Sequence, residues 1–489
     1  MSRVALSIIV EALRQAGVFA GTRGTLPREV DSITDDSRLA RAGAAFIAVR
    51  GAERDGHDFL PAVESSGVAV AIVDDSARTT LPAIVVTDTR RAASIAAAAF
   101  LGFPARELRL VGVTGTNGKT TTVGMLRHLL DEPSSRAASI GTLGVLVGSA
   151  GTPIDGGSGL TTPGPVELQR VLRALVDLVV TTVVMETSSH ALHQHRVDGL
   201  SFAAAVFTNL TRDHLDYHGT MQAYFAAKAM LVPLLRDDGV AVVNADDEVW
   251  KSLPAAPRTV RFGLGPTADV RAEQVKFTPR GSAWTLVAGV ERHAVALPLI
   301  GDFNIANALA AAATACSLGS PACEVASRLA TMPQVPGRLE MINAHPTVLR
   351  DYAHTPDALA RALDAVRPFT EGRLIVVFGC GGDRDRGKRP EMGRIAEARA
   401  DCAIVTSDNP RTEDPETILD DIERGMTAGS HERIEDRRSA IAYAIAIAGT
   451  DDVILLAGKG HEIYQIRGAV KYPFDERVIV HEILAASER

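Results

Sequence analysis

Short apolar runs separated by polar turns make up the first part of the chain. Three of these runs, AAFIAVRG, VAVAIVDD and PAIVVTDT, have the length and the β-branched content of buried strands. The segment that follows, RRAASIAAAAFLGF, has the spacing of a helix and ends near Pro104. The pattern predicts a first domain over residues 1–104.

A buried strand, a glycine-bearing loop and a helix open the second block, in the run LRLVGVTGTNGKTTTVGML. Further apolar strands such as TTVVMETSS and AAAVFTNL alternate with helical stretches such as PVELQRVLRALVDL. This alternation predicts a mostly parallel sheet that is covered by helices on both faces. Residues 260–300 have a different pattern, which predicts a small antiparallel patch. We assign residues 105–337 to this second domain.

A doubly wound α/β pattern fills the last block, residues 338–489. Its apolar runs RLIVVFGC, DCAIVTSDNP and DDVILLAGKG each end in a polar or glycine-rich loop, and helical patterns lie between them. Binding sites in such folds gather at the carboxyl ends of the strands. The predicted fold class is therefore α/β in three domains, with a central P-loop ATPase-like, mostly parallel sheet and a C-terminal Rossmann-like domain.

Composition narrows the classes of function. The chain has 51 Lys and Arg residues against 59 Asp and Glu, a net charge of -8, which argues against a nucleic-acid-binding protein. Its four cysteines form no CxxC pair, which predicts reduced thiols. The apolar N-terminal stretch carries Glu11 and Arg14 at helical spacing, and no apolar run approaches the roughly 20 residues of a membrane span. We expect a cytoplasmic monomer without membrane association.

The clearest chemical signal follows the strand LRLVGVT and consists of Gly115, Thr116, Asn117, Gly118, Lys119, Thr120 and Thr121. Glycines allow backbone N–H groups to turn toward phosphates, and the next helix directs the positive end of its dipole at them. Lys119 would supply a charge to the phosphates, and Thr120 could hold Mg²⁺. A chance glycine turn would not explain strand, loop and helix in this order. The loop predicts nucleotide binding, as in a kinase, a GTPase or a ligase.

Two further strand ends carry potential metal ligands. Glu186 ends the strand TTVVME, across a sheet from the phosphate loop, where a carboxylate is a candidate Mg²⁺ ligand. Taken alone, a glutamate at such a position is more often a solvated loop residue. The second is the loop TNLTRDHLDYHG, which together with His190, His193 and His195 could indicate zinc. Because the ligands lie among hydroxyls and acids and include no Cys, Mg²⁺ is the favoured metal.

Several motifs in a fixed order now point to a family. The runs GTNGKTTT, ETSSHAL, TNLTRDHLDYHG and GDFNIANALAAAA resemble the Mur ligase family. The runs VPGRLE, DYAHTPDAL and GKGHE match as well, so the resemblance spans essentially the whole chain. It implies that residues 1–104 bind a UDP-sugar peptide, residues 105–337 bind ATP, and residues 338–489 bind an incoming amino acid. The implied reaction is ATP-dependent amide formation through an acyl phosphate, with Mg²⁺.

The resemblance implies roles for the residues around the phosphates. Thr120, Glu186 and His214 resemble the ligands of the magnesium ions or their close neighbours. Lys228 matches the family's carbamylated lysine, which helps to position magnesium, although the residues alone show only a lysine on an amphipathic helix. The implied catalytic residues are Lys119, Lys228 and His214.

Other matched positions would contact the two nucleotide substrates. Asn307 corresponds to the family's adenine contact, and Arg338 and Asp351 lie where the family contacts ATP. Ser37, in the run DDSR, corresponds to the uridine-contacting segment. Hydroxyls and an Arg suit a sugar–phosphate–peptide ligand. The further implied contacts to UDP-N-acetylmuramoyl-L-alanyl-D-glutamate are Thr161, Thr162, Ser188, Gln194 and Arg196.

One loop indicates which amino acid is added, and it consists of Asp408, Asn409, Pro410 and Arg411. It resembles the signature of family members that add meso-diaminopimelate, whereas lysine-adding members lack the Arg. Diaminopimelate differs from lysine by one distal carboxylate, which a guanidinium can bind bidentately. Lysine would leave this Arg unpaired, which disfavours lysine as a substrate. The remaining implied contacts to the amino acid are Arg389, Gly458 and Glu462.

Three alternatives remain open from the sequence. The first is another member of the superfamily, such as a folylpolyglutamate synthase or a lysine-adding ligase, against which the DDSR and DNPR runs argue. The second is a switch or binding module that hydrolyses nucleotide slowly, which the C-terminal DNPR and GKGHE loops disfavour. The third is a catalytically dead scaffold, although every motif residue that the chemistry needs is present.

Overall fold

The computed structural model describes residues 3–51, 54–157, 159–278, 281–429 and 431–487. Over these residues the helices are α1 (Leu6–Gln15), α2 (Leu60–Ser65), α3 (Thr89–Phe100), α4 (Lys119–Leu130), α5 (Pro165–Asp177), α6 (Ser189–His193), α7 (Leu215–His218), α8 (Met221–Ala229), α9 (Asp302–Ser317), α10 (Ala322–Leu329), α11 (Pro356–Val366), α12 (Lys388–Arg399), α13 (Pro415–Glu423), α14 (Arg437–Ile447) and α15 (Glu476–Ser487).

The strands are β1 (Val4–Ala5), β2 (Phe19–Arg23), β3 (Glu29–Val30), β4 (Ser32–Thr34), β5 (Ala44–Ile47), β6 (Val70–Val73), β7 (Ala83–Val86), β8 (Arg109–Thr114), β9 (Ala137–Gly141), β10 (Gly144–Val147), β11 (Thr152–Ile154), β12 (Thr182–Glu186), β13 (Phe202–Phe207), β14 (Leu235–Asn244), β15 (Arg258–Gly263), β16 (Val270–Thr278), β17 (Gly281–Ala288), β18 (Glu291–Leu297), β19 (Glu340–Ala344), β20 (Thr347–Asp351), β21 (Leu374–Phe378), β22 (Cys402–Val405), β23 (Glu432–Arg433), β24 (Val453–Ala457), β25 (Tyr464–Arg467) and β26 (Val470–Pro473).

The chain divides into two compact units. The first comprises residues 1–272, 286–293 and 306–328, and the second comprises residues 273–285, 294–305 and 329–489. The sequence-based boundary at residue 104 lies inside the first unit. The division into three domains stays a prediction.

The first sheet of the first unit has the strand order β2-β7-β6-β5-β4. Strands β4 to β7 are parallel to one another, and β2 is antiparallel to β7. Alternate residues of β6 enter two different cores. Val70 and Ile72 pack with helices α1 and α3, whereas Ala71 and Val73 pack with helix α2. Burial on both faces explains why these strands read as continuous apolar runs.

The largest sheet has the strand order β11-β10-β9-β12-β8-β13-β14-β15-β16-β17-β18. All pairs from β9 to β16 are parallel, and β10 and β11 add an antiparallel edge. The predicted mostly parallel central sheet is therefore confirmed. The expected antiparallel patch is wrong at its start, because β15 is parallel to both of its neighbours. The connection over residues 245–257 returns the chain to the end of the sheet at which β14 begins, so that β15 runs parallel to β14. The local sequence pattern does not reveal this crossover.

The sheet of the second unit has the order β19-β20-β24-β21-β22-β23, and only its first pair is antiparallel. Val453 and Leu455 of β24 face a core that includes helices α11 to α13, whereas Ile454 and Leu456 face helices α14 and α15. This is the doubly wound α/β arrangement that the sequence predicted. The carboxyl ends of β20, β24, β21 and β22 meet at one edge, so the loops after them lie together.

Two general expectations can be compared with this structure. The four cysteines, all of which are described, are free thiols. In the part of the chain that the structure describes, no helix has the length and apolar content that would be required to cross a membrane.

A buried ion pair at the end of β24 leads to a prediction about stability. Arg437 and Glu476 have fully buried side chains, 2.7 Å apart, and Arg437 also donates to the backbone oxygen of Ala457 at 2.9 Å. Arg437→Met would leave a buried carboxylate unpaired, which is expected to destabilise the second unit by about 3–5 kcal/mol. Hydrogen exchange of the amides in α14 and β24 measures this change locally.

Two further variants control this measurement. The double variant Arg437→Met with Glu476→Leu removes both charges and should recover most of the loss. Arg438→Met breaks only the exposed pair with Glu482 and should cost less than about 1 kcal/mol. Equal costs for Arg437→Met and Arg438→Met would contradict the prediction.

Candidate active site

The phosphate loop forms where the sequence predicted it, between β8 and α4, over residues 115–118. Gly115 and Gly118 have φ angles of 149° and 85°. A side chain at Gly115 would overlap the Thr208 hydroxyl, and one at Gly118 would overlap the Asn307 amide oxygen. Both positions therefore require glycine. The loop leads directly into the N-terminus of helix α4, where the helix dipole favours phosphate.

The loop after β13 holds the phosphate loop in place. The Thr116 N–H donates to the backbone oxygen of Asn209 at 2.8 Å, and the Asn117 N–H donates to the side-chain oxygen of Asn209 at 2.9 Å. The Thr208 hydroxyl donates to the backbone oxygen of Asn117 at 2.7 Å. These hydrogen bonds fix the path of the loop, and electrostatic catalysis requires such a preorganised arrangement.

Two lysine side chains meet at one backbone oxygen. Lys119 Nζ donates to the oxygens of Gly115 (2.9 Å) and Thr116 (2.7 Å), and Lys228 Nζ also donates to Gly115 (2.8 Å). Lys228 is 1% exposed and its amine lies 4.3 Å from the centre of the Tyr224 ring. Burial, and then the charge of Lys119, hold the pKa of Lys228 well below its usual value. This environment favours the neutral, nucleophilic amine.

The predicted carboxylate at the end of β12 lies beside the phosphate loop. Glu186 pairs in register with Val113 of β8, just before that loop begins. Its side chain is buried, and it accepts hydrogen bonds from the N–H (2.8 Å) and the hydroxyl (3.2 Å) of Thr142. A side chain at Gly141 would overlap the carboxylate. The glycine thus leaves the space that this acid occupies.

A cluster of aromatic rings lies in the segments that follow strands β12 and β13. The centre of the His190 ring lies 4.8 Å from that of His214, 4.2 Å from that of Tyr217 and 5.4 Å from that of His218. Burial, aided by the neighbouring imidazoles, lowers the pKa of His190 and that of His218 to about 4. Burial also lowers the pKa of His214. His190 and His218 are therefore neutral near pH 7.

These donors fit magnesium better than zinc. Among the described residues, no three His, Cys, Asp or Glu side chains are grouped as a protein-only metal site would require. A structural zinc site has four protein ligands. Mg²⁺ instead keeps several waters and takes phosphate oxygens together with one or two carboxylates. The Glu186 carboxylate and the Thr120 hydroxyl, in the first turn of α4, provide the protein share of such a set.

The residues matched to the sugar-peptide ligand lie together at the end of β12. The Thr162 hydroxyl, next to Thr161, donates to a backbone oxygen of that strand end (2.8 Å) and accepts from the Ser188 N–H (3.1 Å). Arg196 donates to the backbone oxygen of Thr162 at 3.0 Å. Two N–H groups of Arg196 also donate to the side-chain oxygen of Gln194, at 2.7 and 3.2 Å. The structure therefore brings all five predicted contacts into one neighbourhood.

Ser37 begins a short 3₁₀ turn that the Asp36 carboxylate caps by accepting from the Arg38 N–H at 2.9 Å. Burial raises the pKa of the adjacent Asp35, and the positive charge of Arg170 partly offsets this rise. A cavity of about 700 Å³ lies beside this turn. It is lined by residues 31–34, Leu39, Arg41, Phe100, Leu101 and Arg170.

In the second unit, β20 ends at Asp351, which is half-buried. It accepts from the backbone N–H groups of Leu339 (2.7 Å) and Ala353 (2.8 Å). Burial raises the pKa of Asp351, and the charge of Arg338 opposes this shift. The guanidinium of Arg338 lies 4.7 Å from the centre of the Tyr352 ring. The two residues matched to nucleotide contacts are therefore neighbours.

The loops after β22 and β24 are joined by polar side chains. Asn409 donates to Glu462 at 2.8 Å, and a Cβ at Gly458, where φ is 114°, would lie 3.0 Å from the Asp408 carboxylate. Lys459 is fully buried and donates to the Asn409 side-chain oxygen at 3.1 Å. Its Nζ also lies 3.4 Å from Asp408 and 3.6 Å from Glu462. Burial, and then the charge of Asp408, raise the pKa of Glu462.

The two arginines of this region differ in what they offer a ligand. Arg411 has a φ of 52°, and over the described residues only its Nη1 has hydrogen-bond acceptors, the nearer being the Gly382 oxygen at 2.8 Å. Its Nε and Nη2 remain for a carboxylate. Arg389 is fully buried and donates to Glu413 (2.8 and 3.0 Å) and Asp421 (2.9 Å). Its guanidinium is already paired, so its contact with the amino acid stays a prediction.

Comparison with known proteins places these residues in a family. The models of the Mur ligase family catalytic domain, the Mur ligase middle domain and the Mur ligase glutamate ligase domain match residues 29–109, 113–315 and 337–460. A protein of Geobacillus kaustophilus (strain HTA426) is 44% identical over 464 residues, 92% of this chain and 94% of its own length. The chain belongs to the Mur ligase family.

A second relative and a solved structure also resemble this Mur ligase over nearly the whole chain. A protein of Gloeobacter violaceus is 44% identical over 483 residues, 97% of each chain. Both relatives are named UDP-N-acetylmuramoyl-L-alanyl-D-glutamate--2,6-diaminopimelate ligase. A solved structure of a ligase with this name has a TM-score of 0.69 and 33% identity over the full length of both chains. The folylpolyglutamate synthase of Mycobacterium tuberculosis, at 21% identity, a TM-score of 0.64 and coverage of 76% and 92%, shares the fold.

Two residues of this Mur ligase were missed by sequence reasoning. Lys459 was noted only as part of the run GKGHE, and nothing in a lysine between two glycines shows that its side chain turns inward. The other is Tyr224, whose ring lies against the Lys228 amine and whose hydroxyl lies 3.3 Å from that of Thr116. Its spacing of four residues from Lys228 would place both on one helix face, which is the signal that could have found it.

Proposed function

We propose that this chain joins meso-2,6-diaminopimelate to UDP-N-acetylmuramoyl-L-alanyl-D-glutamate, with hydrolysis of ATP to ADP and phosphate. The observation that carries the proposal is the 44% identity over nearly the whole chain to ligases of that name, with the DNPR loop present. The proposed setting is the cytoplasm, where ATP and UDP-linked sugars are available, in the synthesis of peptidoglycan precursors. We propose a monomer as the active form.

The second unit offers groups that suit the two ends of diaminopimelate. The free Nε and Nη2 of Arg411 form a planar fork that suits the distal carboxylate. Asp408 and Glu462 supply negative charge for an ammonium group, and Lys459 keeps these acids from repelling each other. Lysine lacks the distal carboxylate and would leave the guanidinium without its partner. These features support diaminopimelate over lysine as the substrate.

The first chemical step is activation of the substrate carboxylate. The D-glutamyl carboxylate attacks the γ-phosphorus of ATP, the bond to the bridging oxygen breaks, and ADP leaves with that electron pair. Lys119 is placed to stabilise negative charge on the transferring phosphoryl group. Magnesium, held in part by Thr120 and Glu186, would neutralise charge on the phosphate oxygens. The product of this step is an acyl phosphate.

The second step forms the amide. The neutral amine of diaminopimelate attacks the acyl carbon, phosphate leaves with the C–O electron pair, and the new amide nitrogen loses a proton. The protein provides positioning and electrostatic stabilisation, and no side chain forms a covalent intermediate. The hydroxyls of Thr161, Thr162 and Ser188 and the guanidinium of Arg196 are the groups proposed to hold the sugar peptide. The cavity beside Ser37 is the proposed uridine site.

Lys228 is proposed to carry a carbamate. Its neutral amine can attack CO₂, with loss of one proton, which turns a buried neutral group into an anion beside the proposed metal site. Removing CO₂ from enzyme and buffers is expected to lower the rate at least about tenfold, and bicarbonate should restore it. The depressed pKa of Lys228 sets the sign of the pH dependence. Acidification protonates the amine and removes the carbamate, so activity falls on the acid side.

Phosphate release measured with and without bicarbonate tests this prediction. Lys228→Ala should be inactive under both conditions. Lys251→Ala changes an exposed lysine that pairs with Glu248 on the surface, and it should respond to bicarbonate as the unchanged enzyme does. Full activity without CO₂ would argue against a carbamate.

Product analysis tests the proposed function as a whole. The enzyme is incubated with ATP, Mg²⁺, UDP-N-acetylmuramoyl-L-alanyl-D-glutamate and meso-diaminopimelate, and the UDP-linked product and ADP are identified by mass spectrometry. We expect one new amide and one ADP for each product molecule. Nucleotide hydrolysis without amide formation would instead favour a nucleotide-hydrolysing module.

A further inference from the structure

One side chain links the loop that carries His214 to the sugar-peptide residues. Tyr217 lies in the short helix α7, three residues after His214, and is half-buried. Its hydroxyl lies 3.1 Å from the side-chain nitrogen of Gln194 and 2.9 Å from Nδ1 of His193. The helix that carries His193, α6, follows strand β12. Two separate loops of the first unit therefore meet at one phenol oxygen.

Arg196 fixes the direction of the hydrogen bond between Gln194 and Tyr217. Arg196 has only donors, and two of its N–H groups are directed at one side-chain oxygen of Gln194. The Gln194 side-chain atom that faces Arg196 must therefore be the amide oxygen, and the NH₂ group of Gln194 faces Tyr217. The phenol oxygen accordingly accepts from Gln194. Its second hydrogen bond, to Nδ1 of His193, takes its direction from the tautomer of that imidazole.

The same chain of hydrogen bonds continues into the proposed ligand site. Arg196 donates onward to the backbone oxygen of Thr162, whose hydroxyl bonds the end of β12. Gln194 is thus held at both ends, by Tyr217 on one side and by Arg196 on the other. Without the phenol hydroxyl, the amide of this half-buried side chain could rotate and would no longer fix the guanidinium.

We propose that Tyr217 is a positioning residue for the sugar-peptide substrate, acting through Gln194 on Arg196. It holds the Arg196 guanidinium in the orientation that meets the oxygens of an anionic sugar–phosphate–peptide ligand. This inference rests on the proposed function. It assigns a role to a tyrosine that is not among the residues proposed to contact ATP or the amino acid.

Tyr217→Phe removes the hydroxyl and keeps the ring that packs on His190. The loss of one or two hydrogen bonds is expected to raise the Kd for UDP-N-acetylmuramoyl-L-alanyl-D-glutamate, measured by calorimetry without ATP, about three- to tenfold. The KM for this substrate should rise by the same factor. The KM values for ATP and diaminopimelate, kcat and the thermal midpoint should stay close to those of the unchanged enzyme, which a general structural defect would not allow.

A double-mutant cycle tests whether Tyr217 acts through Gln194. Gln194→Ala should weaken substrate binding by itself, and adding Tyr217→Phe should then weaken it by less than about twofold. Tyr443→Phe serves as the matched control, since this half-buried tyrosine lies on α14 of the second unit and has no role in the site. Its Kd should equal that of the unchanged enzyme.

The outcomes separate this inference from the proposed function. Weaker binding by Tyr217→Phe that vanishes in the Gln194→Ala background supports the inference. Unchanged binding, or effects that simply multiply, would overturn it while the unchanged enzyme still binds and uses the substrate. Failure of the unchanged enzyme to bind the substrate would overturn the proposed function, and this assignment with it.

Discussion

Replacement of Lys119 by Met is expected to lower kcat for amide formation by roughly 10²–10³-fold, as the loss of one preorganised charge does at other electrostatic sites. Lys119 begins α4 and its ammonium lies among the backbone oxygens of the phosphate loop. In the proposed reaction it stabilises the phosphoryl group while it moves from ATP to the substrate carboxylate. Phosphate release under saturating substrates measures this effect.

The charge of Lys119 also acts on its neighbour Lys228, whose pKa it lowers. In Lys119→Met the pKa of Lys228 should therefore rise toward its usual value. Activity that remains would then need a higher pH or more bicarbonate than the unchanged enzyme. Lys251→Met, on the surface, should leave kcat unchanged. A Lys119→Met enzyme within about threefold of normal kcat would show that this side chain does not act on the transition state.

Replacement of Arg411 by Asn is expected to reduce kcat/KM for meso-diaminopimelate by roughly 10²–10³-fold, because one member of a close charge pair is lost. Asn suits this test because it tolerates the left-handed backbone that Arg411 adopts, with a φ of 52°. For L-lysine, which has no distal carboxylate, kcat/KM should not fall. The change in the ratio of the two values is the measured quantity.

Arg411→Lys is a second variant of this experiment. A lysine retains the charge but lacks the planar fork, so it should restore little of the activity with diaminopimelate. Arg361→Gln is the control, because this exposed arginine pairs with Asp357 on its own helix. Equal losses for diaminopimelate and lysine in Arg411→Asn would show that the side chain supports the loop and does not select the substrate.

Much of the fold follows from local patterns. The runs around the phosphate loop and the strands of the second unit are apolar on both faces, and the structure buries them on both faces as predicted. The direction of β15 could not be predicted, because strand direction depends on how the preceding connection crosses the sheet. A run of six residues looks the same in a parallel and in an antiparallel pair.

The candidate site was predictable where a motif implies a backbone conformation. Gly115 and Gly118 are required by close contacts that any side chain would violate. The sequence could not show where a long side chain ends. Lys459 turns inward between two loops, and the guanidinium of Arg389 is taken by Glu413 and Asp421, which come from distant parts of the chain. Such partners are set by the tertiary fold alone.

Ligation of diaminopimelate to the UDP-linked dipeptide can be tested by competition between two amino acids. The unchanged enzyme is given ATP, Mg²⁺, UDP-N-acetylmuramoyl-L-alanyl-D-glutamate and equal concentrations of meso-diaminopimelate and L-lysine, and the amide products are quantified by mass spectrometry. We expect the diaminopimelate product to exceed the lysine product by at least about 100-fold. A product that contains mainly lysine would contradict the role given to Arg411, and no amide with either amino acid would contradict the proposed function.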